Sequence, residues 1–252
     1  MWRILIAAFC FAAFSIGGIA LSFLLFPLFR LLPGGAAARE RRARLVVRRS
    51  FGALLWTLQA LRMLRIETRN LAALENSGAV LVLANHPSYL DIVVLISHIR
   101  DAVCVVKSKV WSNPFFGGVV RAAGYIRNDE PEHVIANCVA RLAGGLPLVM
   151  FPEGTRSAPG EPLHFVRGAA RIALASGVPI LPVVLRCEPA LLPRGAKWYQ
   201  MPAGSFRIIV EVLPCTDASA LLAKEAGSPR RLTQALERFF TDQLACDERP
   251  AT

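Results

Sequence analysis

A chain of 252 residues has room for one domain of ordinary size and an appendage, and its 54% hydrophobic content excludes a disordered polymer. A mean hydropathy of +0.44 is high for a soluble protein and low for one that crosses a membrane many times, so one membrane segment joined to one globular domain fits best. The net charge of +11 is lopsided: residues 1–69 hold eleven arginines against Glu40 and Glu67 (+9), and the rest of the chain only +2, so no nucleic-acid partner is expected.

The first element is apolar. Between Arg3 and Arg30 there is no charge for 26 positions, which as a helix at 1.5 Å per residue exceeds a hydrocarbon core of about 30 Å. Gly17, Gly18 and Pro27 leave a second form open, a shallow re-entrant pair of helices. Ala36, Ala37 and Ala38 resemble a signal-peptide cleavage site, yet the apolar stretch ahead of them is far longer than a signal core of about 7–15 residues. Arg39, Arg41, Arg42, Arg44, Arg48 and Arg49 follow, and a polybasic run gains about 1 kcal/mol per residue against an anionic membrane surface. A solvated charged face or an RNA contact is the plainer alternative. By the positive-inside rule these arginines put the downstream domain in the cytoplasm, at the inner membrane.

From Phe51 onward, Leu54, Leu55, Leu58 and Leu61 recur at helical spacing, a face that either lies in the lipid interface with Trp56 or packs on the domain. Residues 1–69 therefore read as a hydrophobic anchor plus a basic and amphipathic helical segment, and residues 70–252 as the globular domain. In that domain, Val80–Ala84, Ala102–Val106, Leu146–Phe151, Ile180–Leu185 and Phe206–Leu213 read as strands, and Leu90–His98, Glu132–Ala143 and Arg167–Ser176 as helices. The alternation predicts an α/β fold with a largely buried sheet. Ser228 and Pro229 open a last helix whose Leu232, Leu236, Phe239, Phe240 and Leu244 share one face. The six cysteines are scattered without metal-ligand spacing and read as reduced core residues; no metal is implied.

Two polar clusters interrupt the apolar strands. In the stretch VLVLANHPSYLD, Pro87 is expected at the first helical position with His86 at the strand-to-helix junction and Asp91 just over a turn into the helix. A carboxylate at that spacing can take the proton on one imidazole nitrogen and leave the other as a base. A histidine capping its own helix, with Asp91 near the positive dipole end, is the structural alternative. In LPLVMFPEGTRS, a second strand ends in Glu153, Gly154, Thr155 and Arg156. Gly154 allows close approach of backbone amides, and Arg156 offers a planar fork for phosphate or carboxylate. An internal Glu153 to Arg156 ion pair is the alternative here.

Together these residues resemble the 1-acylglycerol-3-phosphate acyltransferase (lysophosphatidate acyltransferase) family of glycerolipid acyltransferases. NHPSYLD matches the first family block NHxxxxD, FPEGTRS matches the third without a change, and VPILPV, from Val178 to Val183, matches the fourth; the likeness covers about residues 70–210. The second block, GxxFIxR, is imperfect: Tyr125 and Ile126 align with its Phe-Ile, which leaves Ala122 at the glycine, Asn128 at the arginine and Arg127 one place early. The resemblance implies an acyltransferase-type mixed sheet flanked by helices, with His86 as general base on the acceptor hydroxyl and Asp91 orienting it. Glu153, Gly154, Thr155, Arg156, Arg127 and Lys107 are the implied substrate-binding residues. The implied cosubstrate is acyl-ACP or acyl-CoA, with no other cofactor, and the implied partners are a membrane lipid acceptor and that acyl carrier protein or coenzyme A thioester. A thioester leaves as a thiolate with a pKa of about 8.5, so one base suffices and no acyl-enzyme is needed. Ser88 or a cysteine as covalent nucleophile is the rival scheme, and no GxSxG elbow supports it. An esterase or thioesterase, or a non-catalytic membrane scaffold, are the other readings of the chain.

Overall fold

The computed structural model describes residues 2–157, 161–191, 204–222 and 228–246. In chain order its elements are α1 (Trp2–Ala20), α2 (Phe26–Leu28), α3 (Gly35–Ala60), β1 (Leu64–Arg69), α4 (Leu71–Glu75), β2 (Leu81–Ala84), α5 (Asp91–His98), β3 (Val103–Lys107), α6 (Ser108–Trp111), α7 (Gly117–Ala122), β4 (Ile126–Asn128), α8 (Pro131–Ala143), β5 (Leu148–Met150), α9 (Gly168–Ser176), β6 (Ile180–Glu188), β7 (Phe206–Val212), α10 (Ala218–Leu221) and α11 (Pro229–Cys246). Among the described residues the strands form one mixed sheet of seven, ordered β1-β7-β6-β2-β5-β3-β4. β6, β2, β5, β3 and β4 run parallel, and β7, antiparallel to β6, carries β1 with it. The parallel strands therefore end on one common edge, the place where open α/β sheets bind ligands. β2 is central and every side chain in it is buried, which is why it reads as an unbroken aliphatic run.

Two strands escape the sequence pattern. β4 has three residues, too few to show a period. β1, Leu64–Arg69, lies within the segment grouped above with the anchor, yet pairs along its whole length with β7. Its alternation of one buried leucine with charged residues suits a border strand, where Glu67 pairs with Arg65 (3.1 Å) and Arg207 (3.6 Å). The C-terminal helix is as expected: Ser228 Oγ accepts from the Arg231 N–H at 3.2 Å, and Leu232, Leu236 and Phe240 are buried.

The apolar N-terminal segment forms one helix long and apolar enough to cross a membrane, Ile4–Leu31, with a mean hydropathy of 2.4. Gly17 and Gly18 do not break it. Pro27 is accommodated by a preceding π-helical stretch, Leu21–Leu25, closed by the Phe26 N–H bonding to the Leu21 carbonyl. The chain reverses instead at Gly34 and Gly35, whose φ values of +111° and +66° favour glycine. Ala36, Ala37 and Ala38 lie in the opening of α3.

The helix face that holds Leu55 and Leu58 is buried, and α3 packs on α5 while Trp56 stays exposed. The arginine run does not all face outward. Arg44 is buried, donating from Nε to Asp101 Oδ1 (2.6 Å) and from a terminal nitrogen to the Ala123 carbonyl (3.1 Å) and Glu40 (3.3 Å). Arg48 Nε donates to the Ser97 carbonyl at 3.1 Å, and Arg42 to the Pro33 carbonyl at 2.6 Å. Half of the expected lipid-facing charges thus fasten α3 to the domain or to its own entry turn. Glu40 also pairs with Arg141 of α8. Burial acts to raise the Glu40 carboxyl, but the Arg141 and Arg44 guanidiniums outweigh it and hold it below the usual carboxylate range.

Candidate active site

β2 ends at Ala84, and the next two residues each do a separate job. Asn85 extends the strand through its side chain: its amide N–H donates to the Leu185 carbonyl (2.8 Å) and its Oδ1 accepts the Leu185 N–H (2.7 Å). That fixes where the chain leaves the sheet. His86 comes next and stands on the carboxyl edge. Pro87 is not the first residue of a helix; residues 87–90 form a turn and α5 begins at Asp91 itself. The turn is held by the Asp91 carboxylate. Its Oδ2 accepts the Ser88 N–H (2.6 Å) and faces His86 Nδ1 (2.8 Å), while its Oδ1 accepts the Ser88 hydroxyl (2.5 Å).

This geometry has chemical consequences. With its proton on Nδ1 directed at Asp91, the imidazole keeps Nε2 as a lone-pair base. Asp91 is completely buried; burial pushes its carboxyl above the usual range, and the donors from His86 and Ser88 pull against that. Ser88 is also fully buried, its proton committed to Asp91 and its oxygen accepting the Leu90 N–H at 3.2 Å, an arrangement that leaves no nucleophile. Cys187, whose thiol burial pushes up to about 11, is protonated at neutral pH. The covalent scheme loses its two nearest candidates.

The second cluster leaves β5 at Phe151, whose ring stacks on the His86 imidazole with centroids 4.1 Å apart and planes at 16°. Gly154 makes the turn at φ +65°, its N–H bonded to the Phe151 carbonyl at 3.0 Å. Glu153 does not turn to Arg156. Its Oε1 accepts the His86 backbone N–H (2.8 Å) and the Ser157 hydroxyl (2.9 Å), and the Ser157 N–H returns to the His86 carbonyl at 2.8 Å. Burial pushes the Glu153 carboxyl up, its Ser157 and His86 hydrogen bonds acting the other way. Arg156 lies over the exposed Tyr89 ring, 3.7 Å from its centroid. The two sequence clusters are thus one structure, tied by stacking, by backbone hydrogen bonds and by a cation over an aromatic face. Thr155 lies half-buried in the same turn.

Lys107 ends β3, and Arg127 sits one residue before the end of β4 towards the same edge, two and three strand positions from β2. At about 4.8 Å per strand, Arg127 starts about 14 Å from His86 along the sheet. It is half-exposed, with Nε 3.5 Å from both Ser108 Oγ and Asp129 Oδ2, and it lines a cavity of about 430 Å³ with Trp111, His133 and Asn137. The structure gathers His86, Asp91, Glu153, Gly154, Thr155 and Arg156 into one cluster and leaves Lys107 and Arg127 beside it. Asn85, Ser88, Tyr89, Phe151 and Ser157 complete the cluster; only their places inside the motifs hint at it.

A family model described as Acyltransferase matches residues 65–186. Over 178 residues the chain is 32% identical to a 1-acyl-sn-glycerol-3-phosphate acyltransferase of Salmonella typhimurium, covering 68% of this chain and 70% of that one. The chain belongs to this acyltransferase family. Another member, a lyso-ornithine lipid O-acyltransferase of Rhizobium meliloti, is 35% identical over 140 residues, 53% of this chain and 47% of that one. The plant chloroplast members are matched over 43% and 47% of their length, so the chain spans about half of them. In fold, the family member resembles the crystal structure of the 1-acyl-sn-glycerophosphate acyltransferase of Thermotoga maritima, with a TM-score of 0.68, 21% identity, and 99% of this chain and 96% of that one covered.

Proposed function

We propose that the protein transfers a fatty acyl group from an acyl carrier protein or coenzyme A thioester to the free hydroxyl of 1-acyl-sn-glycerol 3-phosphate, giving phosphatidate. The observation that carries this reading is the buried Asp91 bonded to His86 Nδ1 at the carboxyl edge of the sheet. Nε2 of His86 takes the acceptor's proton as its oxygen attacks the thioester carbonyl. The C–O bond forms, the C–S bond breaks, and the thiolate leaves. Asp91 stabilises the imidazolium that results. Arg156 meets the acceptor's anionic group, its plane held by Tyr89, and Lys107 and Arg127 add positive charge along the edge.

The anchor supports the same reading, because the acceptor is a membrane lipid and the donor comes from the cytosol. Its mid-helix residues Phe14, Gly18 and Ser22 pack on the α7 region of the domain. A helix crossing the bilayer upright with its centre against the domain would draw that domain into hydrocarbon, so we place the helix along one leaflet of the cytoplasmic membrane, the domain facing the cytoplasm. The proposal is tested by offering purified protein an acyl thioester with a panel of lysolipids and identifying the acylated lipid by mass spectrometry.

One observation favours a second acceptor. Asn128 stands where the family's second block has arginine, and a relative acts, by its name, on lyso-ornithine lipid. Preference for a phosphate-free lysolipid in the panel would select that reading.

A further inference from the structure

We propose that the α6–α7 segment is a second lipid-contacting element, inserted at an anionic bilayer surface beside the N-terminal helix. The proposal deepens the reading of a membrane-borne acceptor and rests on it. The segment is the crossover from β3 to β4, and it begins on the carboxyl edge that carries His86, where the Ser108 hydroxyl donates to the Asn128 carbonyl at 2.8 Å. It exposes two large apolar side chains, Val110 at 37% and Phe115 at 41%. Lys107, Lys109 and Arg121 flank them and are exposed. Apolar tips ringed by basic groups fit the boundary between acyl chains and anionic headgroups.

Two further observations set this segment apart from a chance patch. It is rigid: Asn113 Oδ1 accepts the N–H groups of Phe115 (2.8 Å) and Phe116 (3.2 Å), its carbonyl accepts the Gly117 N–H (2.7 Å), and Arg121 donates to the Trp111 carbonyl (2.8 Å). It is also continuous with the apolar helix. Gly18 approaches the Phe115 carbonyl so closely that a Cβ there would lie 2.5 Å from it, and Gly118 meets Ser22 in the same way. The Phe14 ring lies 5.1 Å from that of Phe116. A bilayer that takes up the exposed face of the helix, with Phe9, Ile16 and Phe23, meets Phe115 and Val110 next. The contact would hold the carboxyl edge of the sheet, and His86 with it, against the surface from which the acceptor must be drawn.

The test uses the full-length protein reconstituted in vesicles of phosphatidylglycerol and phosphatidylcholine. A nitroxide is attached to Phe115→Cys and, in a separate variant, to Asn76→Cys, an exposed residue before β2 on the opposite edge; unsubstituted protein labelled in parallel gives the background of native thiols. Expected at position 115 is high collision with oxygen and several-fold shielding from a water-soluble nickel chelate relative to position 76. Nickel access equal at the two positions overturns the proposal whether or not the protein proves to be an acyltransferase. In the activity arm, Val110→Ser with Phe115→Ser should lower turnover of a vesicle-borne acceptor by about tenfold, as for the loss of one buried aromatic contact, and leave turnover of a short-chain, water-soluble acceptor unchanged. Equal loss on both acceptors also overturns it, whereas inactivity of the unsubstituted protein on every acceptor would count against the proposed function and leave the shielding result standing.

Discussion

Replacing Asp91 by asparagine changes one atom type at a site where three donors converge. Ser88 N–H and His86 Nδ1 share Oδ2, and the Ser88 hydroxyl points at Oδ1. An amide supplies only one acceptor oxygen. If its NH2 takes the Oδ2 place, it faces the Ser88 N–H as a second donor and forces His86 to accept at Nδ1, which moves the ring proton to Nε2 and removes the base. If its NH2 takes the Oδ1 place, the Ser88 hydroxyl must turn and accept, and the imidazolium loses the negative charge that stabilised it. Either way Asp91→Asn should lower turnover by about 10² to 10⁴, the span for a misdirected general base. Stability should change little, because a carboxyl destabilised by burial is exchanged for a neutral isostere. Asp91→Ala is different: it leaves buried donors unpaired and should cost about 3–5 kcal/mol. The assay is acceptor-dependent thiol release by Asp91→Asn, His86→Ala and the double variant, alongside thermal unfolding. Groups acting as one unit are not additive, so the double variant should be within about threefold of His86→Ala. A well-folded Asp91→Asn enzyme that keeps a third of wild-type turnover, or full additivity in the cycle, would refute the pairing.

Arg156→Lys keeps the charge but loses the planar fork and its fit over Tyr89, so the KM for acceptor should rise about tenfold or more while that for donor stays within twofold; equal rises would assign Arg156 a structural role. Glu40, its carboxyl lowered in the folded state, stabilises the fold at pH above the ordinary value of about 4.3, and this contribution is lost as pH falls through the lowered one. Glu40→Gln should therefore narrow the fall in Tm between neutral and acid pH, and an unaltered acid limb would contradict the ion network as its cause. Gly18→Ala puts a methyl into the Phe115 carbonyl and should destabilise by about 1–3 kcal/mol, whereas Gly17→Ala, with nothing within 4 Å, should be neutral or slightly stabilising in thermal unfolding; similar effects at both would refute the close packing of the helix on the domain.

What the sequence reveals here follows the physics of burial. β2 and β5 are short strands inside the parallel part of the sheet, so their aliphatic runs and the polar residues that end them stand out in one dimension. His86 and Asp91 are five residues apart, near enough that their contact follows from local geometry. The contacts that span long distances are invisible to that reading. Arg44 belongs by composition to a lipid-facing run, and only the placement of Asp101 and Ala123 beside α3 makes it a buried tie. Glu153 and Arg156 look like partners three residues apart, but the packing of β5 beside β2 brings the His86 N–H to one and the Tyr89 ring to the other. β1 hides because its partner, β7, lies more than a hundred residues away in sequence. The turn at residues 87–90 hides because the Asp91 carboxylate, not proline, decides where α5 starts.

The most direct test of the central claim is thiol release from an acyl thioester by purified full-length protein, with and without 1-acyl-sn-glycerol 3-phosphate, for the wild type and for His86→Ala. Release should depend on the acceptor and match the phosphatidate formed, and His86→Ala should lower it by about 10² to 10⁴ with folding intact. Release that proceeds equally well without acceptor, or a folded His86→Ala protein that keeps more than about a tenth of the activity, would contradict a base-assisted acyl transfer at this site.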